Sequence, residues 1–80
     1  MNNRIKITVR IRSWNSMMKE FGLHRHGSIA AEASFTEQMR QYCSKMTVLI
    51  PNTYGGWQTF DRRWNISKDM VCKKYHYLMD

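Results

Sequence analysis

The chain has 80 residues, of which 42% are hydrophobic, so it can form one small core but not a second domain. This composition excludes a disordered tail, and no apolar stretch of the sequence is long enough to cross a bilayer. Thirteen Lys and Arg residues against six Asp and Glu residues give a net charge of +7, which favours anionic partners. We expect a single cytoplasmic domain over residues 1–80, with no signal peptide and no membrane contact.

Residues 4–12 alternate between branched apolar and polar side chains, a pattern typical of a half-buried strand. The apolar positions are Ile5, Ile7, Val9 and Ile11, and the cationic positions are Arg4, Lys6, Arg10 and Arg12. The cations either protect a sheet edge or form an anion-binding stripe. Because the strand has no acidic residue, a neighbouring segment or an anionic partner must offset their repulsion, and we favour the partner.

Two helical segments are predicted after this strand. Ser13 can cap a helix over residues 14–21, and Gly22 follows where a left-handed residue commonly ends a helix. Thr36 can cap a second helix that ends near Tyr42 or Cys43. The apolar residues of the first helix recur at helical spacing, so that helix should pack onto a sheet.

Three further short strands are predicted, over residues 46–50, 57–61 and 64–66. Pro51 ends the first of them, and paired glycines at 55 and 56 form the next turn. Ser67 can cap a single helical turn, and residues 72–80 form either a last strand or a loosely held basic-aromatic tail. We expect Phe60 and Trp64 inside the core.

Short strands, one-turn helices and a helical insertion after the first strand predict an α+β protein that is mainly β. The first choice of architecture is a small SH3-like antiparallel barrel, and the alternative is a sheet with helices packed on one face.

The sequence contains no recognisable catalytic or metal-binding motif, so we predict a protein that is not an enzyme and has no cofactor. His24 and His26 lack a third ligand for a metal, and a structural role for Cys43 outweighs a Cys/His pair. Cys43 and Cys72 are expected to be reduced thiols.

The aromatic and basic residues around the glycine turn suggest a binding surface. Aromatic rings beside guanidinium groups can stack bases, and here we expect Tyr54 or Trp57 to be partly exposed. Together with the cationic strand they give the predicted ligand-binding or partner-binding set: Arg4, Lys6, Arg10, Arg12, Tyr54, Trp57, Arg62 and Arg63. If the stripe faces outward, replacing Arg10 and Arg12 with Gln should barely alter folding.

Several short motifs, spread over residues 7–71, follow one another in an order that resembles a family of small uncharacterised phage and prophage proteins of Firmicutes. The motifs are Arg12-Ser13-Trp14, Phe35-Thr36-Glu37-Gln38-Met39, Tyr42-Cys43, Lys45-Met46-Thr47-Val48 and Trp64-Asn65-Ile66-Ser67-Lys68-Asp69-Met70. The resemblance implies an SH3-like fold and a non-catalytic accessory protein that inhibits a host defence system, as anti-CRISPR proteins do. Its partner would be a defence protein, a nucleoprotein or a nucleotide signal. The alternative function is a nucleic-acid-binding module, and homo-oligomer formation is left open.

Overall fold

The computed structural model describes residues 5–80, and Arg4 of the predicted stripe lies outside them. The strands are β1 (Ile7–Arg10), β2 (Met46–Pro51), β3 (Trp57–Thr59) and β4 (Asn65–Ile66). The α-helices are α1 (Trp14–Phe21) and α2 (His76–Met79), and 3₁₀ helices cover Glu37–Tyr42, Lys68–Met70 and Lys73–Tyr75. The prediction of a small α+β protein with a helical insertion after the first strand is confirmed. The expectation that it is mainly β is wrong, because helices cover more of residues 5–80 than strands do.

The strands form one antiparallel sheet in the order β1-β2-β3-β4. Val9 lies opposite Thr47, and Leu49 lies opposite Thr59. Within residues 5–80 this sheet does not close into the barrel that the sequence predicted. The physical reason is the short last strand, because the chain leaves β4 after two residues and enters the 3₁₀ helix Lys68–Met70.

The chain then returns to the other side of β1. Val71 forms an antiparallel bridge with Ile11, and the amide of Cys72 donates to the Arg10 carbonyl at 2.9 Å. On the opposite side, the amide of Ile11 donates to the Lys45 carbonyl at 3.1 Å. The backbone just after β1 is therefore hydrogen-bonded on both sides, as in an interior strand.

The core lies between one face of the sheet and the helical segments. Its buried apolar members are Ile7, Val9, Ile11, Met17, Ile29, Phe35, Met39, Leu49, Ile66, Met70, Val71 and Met79. The flexible methionine side chains fill the irregular space left by short helices. Helix α1 begins and ends as predicted, because the Ser13 hydroxyl accepts from the Ser16 amide and the Gly22 amide donates to the Met18 carbonyl.

Residues 72–80 form helical turns, which differs from both the strand and the loose tail that the sequence left open. Met79 of α2 is only 9% exposed, and its carbonyl accepts a hydrogen bond from Trp57 Nε1 at 3.1 Å. The contact anchors the C-terminal segment to β3 and turns the Trp57 indole inward.

The prediction of a buried Phe60 is wrong, because this ring is 59% exposed. Neighbouring residues of a strand point to opposite faces, and the preceding Thr59 is only 2% exposed. With Trp57 and Thr59 turned toward the core, Phe60 must face outward. Trp64, also predicted inside, is half-buried.

Arg12 does not belong to the cationic face of β1. Its Nη2 atom lies 2.8 Å from Glu20 Oε1 and donates to Ser16 Oγ at 2.7 Å, while its Nη1 atom donates to the Asp69 carbonyl at 3.1 Å. The Arg12 side chain is only 19% exposed. Its guanidinium group therefore joins α1 to the 3₁₀ helix Lys68–Met70.

We predict that Arg12→Gln destabilises the protein, in contrast to the expectation from sequence. Hydrogen bonds to charged groups contribute roughly 1.5–3 kcal/mol each, and partial exposure of Glu20 reduces the sum, so we expect a loss of about 2 kcal/mol. For a domain of this size that loss lowers Tm by roughly 10 °C. The matched control is Arg10→Gln, since Arg10 makes one exposed bond to the Ser44 carbonyl, and thermal melts followed by circular dichroism compare the two. Equal and small shifts for both variants would contradict a structural role for Arg12.

Candidate functional site

One side of the sheet faces away from the core, and its side chains are exposed or half-buried. We call this surface the open sheet face, and it comprises Lys6, Thr8, Arg10, Met46, Val48, Ile50, Gln58, Phe60 and Asn65. It exists because strand side chains alternate and the core uses only the other set. An uncovered sheet face with large apolar side chains is a feature that marks interaction sites.

The centre of the open sheet face is apolar. Met46 is 48% exposed, Val48 is 37% exposed and Phe60 is 59% exposed. Val48 lies directly opposite Thr8 of β1. Lys6, Thr8, Val48 and Phe60 line a shallow depression of about 450 Å³, which is open to solvent. A flat ring or another apolar group could lie here against Phe60.

Two cations flank this apolar centre. The Lys6 ammonium nitrogen lies 5.3 Å from the centroid of the Phe60 ring, within the range of a cation–π contact. Arg10 Nη1 donates to the Ser44 carbonyl at 2.8 Å, and the Arg10 side chain is exposed. None of the residues that define the open sheet face is Asp or Glu, but the exposed Asp61 lines an adjoining depression with Met46, Val48 and Phe60. The positive charge of this face is therefore concentrated at Lys6 and Arg10 on its β1 side, and a carboxylate lies on its Phe60 side.

A tight turn between β3 and β4 carries Phe60 at one end of this surface. Asp61 Oδ1 accepts hydrogen bonds from the Thr59 hydroxyl at 2.6 Å and from the Arg63 amide at 3.1 Å. These two bonds, the hydroxyl first, lower the pKa of the Asp61 carboxyl below its ordinary value. Arg62 has a positive φ of 66°, which a non-glycine residue rarely adopts. The turn thus fixes where Phe60, Arg62 and Arg63 lie.

Tyr54 and Trp57 lie at the other end of β3. Tyr54 is 87% exposed on the turn that follows β2, where its amide donates to Asn52 Oδ1 at 2.8 Å. Trp57 is half-buried and bonded to α2, so its main contacts are structural. Both residues line a separate groove of about 390 Å³ that Lys68 also lines.

The structure therefore divides the predicted binding set. Lys6 and Arg10 lie on the open sheet face, and Arg62 and Arg63 lie in the turn at its end. Tyr54 and Trp57 lie elsewhere, and Arg12 lines a cleft of about 570 Å³ in which Glu20 offsets its charge.

Sequence reasoning left Phe60, Val48 and Met46 out of the candidate site. The signal that could have found them is the alternation of the strands. In β2, Met46 and Val48 share a parity opposite to that of the buried Thr47 and Leu49. Their exposure follows once the inward set is known, because the two sets must point to opposite faces.

The two cysteines lie outside the open sheet face. Cys43 and Cys72 are free thiols, and both are half-buried. Burial raises the pKa of the Cys43 thiol, and the nearby positive charge of Arg40 offsets part of this shift. A raised pKa is the opposite of the shift that activates a nucleophilic thiolate.

Comparison with known proteins identifies no relative, because no family model, no curated protein and no solved structure matches the chain. The helices within residues 5–80 are all too short or too polar to cross a membrane.

We predict that Asp61→Asn destabilises the protein near neutral pH but not in strong acid. A carboxyl whose pKa is lowered by folding stabilises the folded state above its unfolded pKa, and this contribution is lost as pH falls through the lowered value. Urea denaturation of both proteins across the acidic range measures the difference. The two stability curves should converge at low pH. A constant gap at every pH would show that the ionised carboxylate contributes nothing specific.

Proposed function

We propose that this protein acts by binding and not by catalysis, and that the open sheet face binds single-stranded nucleic acid. The observation that carries the proposal is the exposed ring of Phe60 on a face that also carries two exposed cations, Lys6 just before β1 and Arg10 within β1. This combination suits a ligand that has flat apolar groups joined by negative charges.

The Phe60 ring and the two cations contact different parts of the nucleic acid. A base stacked on an aromatic side chain contributes roughly 1–3 kcal/mol, and Phe60 offers such a ring. Lys6 and Arg10 can meet phosphate oxygens on either side of the stacked base. The ring does not discriminate strongly between bases, so binding should be tolerant of sequence.

The apolar centre favours a single strand over a duplex. In a duplex the base faces are already stacked on each other, so they cannot meet Phe60 without costly unstacking. In a single strand those faces are accessible. The distance from β1 to β3 covers two strand spacings, about 10 Å in total, so the surface contacts only a short stretch of a strand.

We propose further that the protein acts in the host cytoplasm as a phage accessory protein that inhibits a defence system. The support is the resemblance described from the sequence. Among the target classes that it implies, a nucleoprotein with an exposed guide strand fits a basic-aromatic face best, because its nucleic acid supplies both phosphates and free bases.

We also propose that the chain has an SH3-like order of strands with an open sheet. The support is the sequence of elements at the C-terminal end. A one-turn 3₁₀ helix, Lys68–Met70, follows β4, and Val71 then pairs with the backbone just after β1. Val71 thus takes the place of a fifth strand beside the first.

We predict that Phe60→Ala and the double variant Lys6→Gln with Arg10→Gln weaken binding of a short oligothymidine in different ways. Loss of the ring removes roughly 1–3 kcal/mol of stacking and leaves the salt dependence unchanged. Loss of two cations lowers the slope of log affinity against log salt by roughly 1.4 units, at about 0.7 per phosphate contact with a single strand. Fluorescence anisotropy with a labelled oligomer over a salt series measures both quantities.

Two control variants match these changes in chemistry away from the open sheet face. Tyr77→Ala removes an aromatic ring that is 73% exposed on α2, and Lys19→Gln removes an exposed cation on α1. Both should leave affinity within about twofold of the parent protein, because neither touches the proposed surface. Absence of binding at low salt, or equal losses for controls and test variants, would overturn the proposal.

The proposed biological setting has its own test. We expect that phage carrying this protein grow better in cells with an active nucleic-acid-guided defence system than phage without it. The Phe60→Ala variant should lose this advantage. Affinity purification from such cells should recover the guide-bearing complex. Recovery of no defence component together with no growth advantage would refute the inhibitor role while leaving nucleic-acid binding to its separate assay.

A further inference from the structure

We infer that Lys6 covers the Phe60 ring in the free protein and that a base binds by taking its place. The inference rests on the proposed function, since it concerns the same surface. Its basis is the position of the Lys6 ammonium nitrogen, 5.3 Å from the centroid of the ring that a base would use. The two cannot occupy the same face of the ring at once.

The free energies of the two contacts determine whether the lysine or a base occupies the Phe60 ring. An exposed cation–π contact changes an equilibrium by roughly two- to fivefold, which is about 0.5–1 kcal/mol converted at 1.4 kcal/mol per tenfold. Stacking of a base on an aromatic ring changes it by roughly 5- to 100-fold on the same scale. A base therefore displaces the ammonium group at a small cost.

The displaced lysine then acquires a second role. Lys6 lies immediately before β1, and its long side chain is exposed. Once it leaves the ring, the ammonium group can meet a phosphate oxygen of the same bound strand. Lys6 thus covers the ring in the free protein and contacts a phosphate in the complex, whereas Arg10 serves only the phosphate.

This difference predicts unequal effects of two matched substitutions. Lys6→Gln removes a phosphate contact but also frees the ring, and Arg10→Gln removes a phosphate contact with no compensation. We expect Lys6→Gln to weaken oligothymidine binding roughly two- to fivefold less than Arg10→Gln. In a Phe60→Ala background the two substitutions should weaken binding equally. If Lys6→Gln still weakened binding less than Arg10→Gln in the Phe60→Ala background, the inference would be overturned.

Nuclear magnetic resonance gives a direct readout. In the free protein, ring current should move the side-chain methylene protons of Lys6 upfield, and Phe60→Leu should abolish this shift. Saturation with oligothymidine should also abolish it.

The outcomes separate this inference from the proposed function. An upfield shift that persists in the protein saturated with oligothymidine would overturn the displacement of Lys6 and leave nucleic-acid binding intact. Absence of the shift in the free protein would overturn the inference in the same way. Failure of the oligomer to bind at low salt would overturn both.

Discussion

The double-sided backbone pairing just after β1 is the constraint on which the rest of the structure depends. Ile11 is fully buried, bonded to Lys45 on one side and bridged to Val71 on the other. This one position links the start of the chain, the strand after the helical insertion and the C-terminal segment. Because backbone groups buried without partners are costly, the three segments must keep this alignment.

The open sheet face is a consequence of that alignment. With Ile7, Val9 and Ile11 held inward, the alternating residues Lys6, Thr8 and Arg10 must point outward. The helical insertion between β1 and β2 packs on the inner side, as the burial of Met17 and Phe35 shows. The short helices suffice to cover one side of the sheet only. The second side is left to solvent and becomes available to a ligand.

The sequence allowed prediction of features that depend on local interactions. The alternation before Arg12 determines the strand, the Ser13 hydroxyl determines the start of α1, and Pro51 ends β2. Features that depend on distant partners could not be predicted. The bond from Trp57 to Met79 spans 22 residues, and nothing in the local sequence around Trp57 indicates it.

The candidate site, too, could be predicted only where it depends on local interactions. A strand pattern shows that Lys6, Arg10 and Arg12 share a parity, but it does not show where a strand ends. β1 ends at Arg10, and Arg12 lies beyond it, within reach of Glu20 on α1. The outward direction of Lys6 and Arg10 was therefore predicted. Met46, Val48 and Phe60, which the same alternation turns outward, were missed, and Arg12, whose contacts depend on the insertion, was misplaced.

The distribution of the carboxylates gives the open sheet face its chemical character. Most of the acidic groups within residues 5–80 have partners elsewhere in the fold. Glu20 pairs with Arg12, Glu37 with Arg40, Asp80 with Lys68, Asp61 with the Thr59 hydroxyl, and Asp69 with the Ser67 hydroxyl and the Glu32 amide. The charge repulsion inferred from the sequence is thus relieved at Arg12, by Glu20, but not at Lys6 and Arg10. Arg12 has a carboxylate partner in Glu20, whereas within residues 5–80 neither Lys6 nor Arg10 forms a salt bridge, so an anionic ligand there would offset their charge.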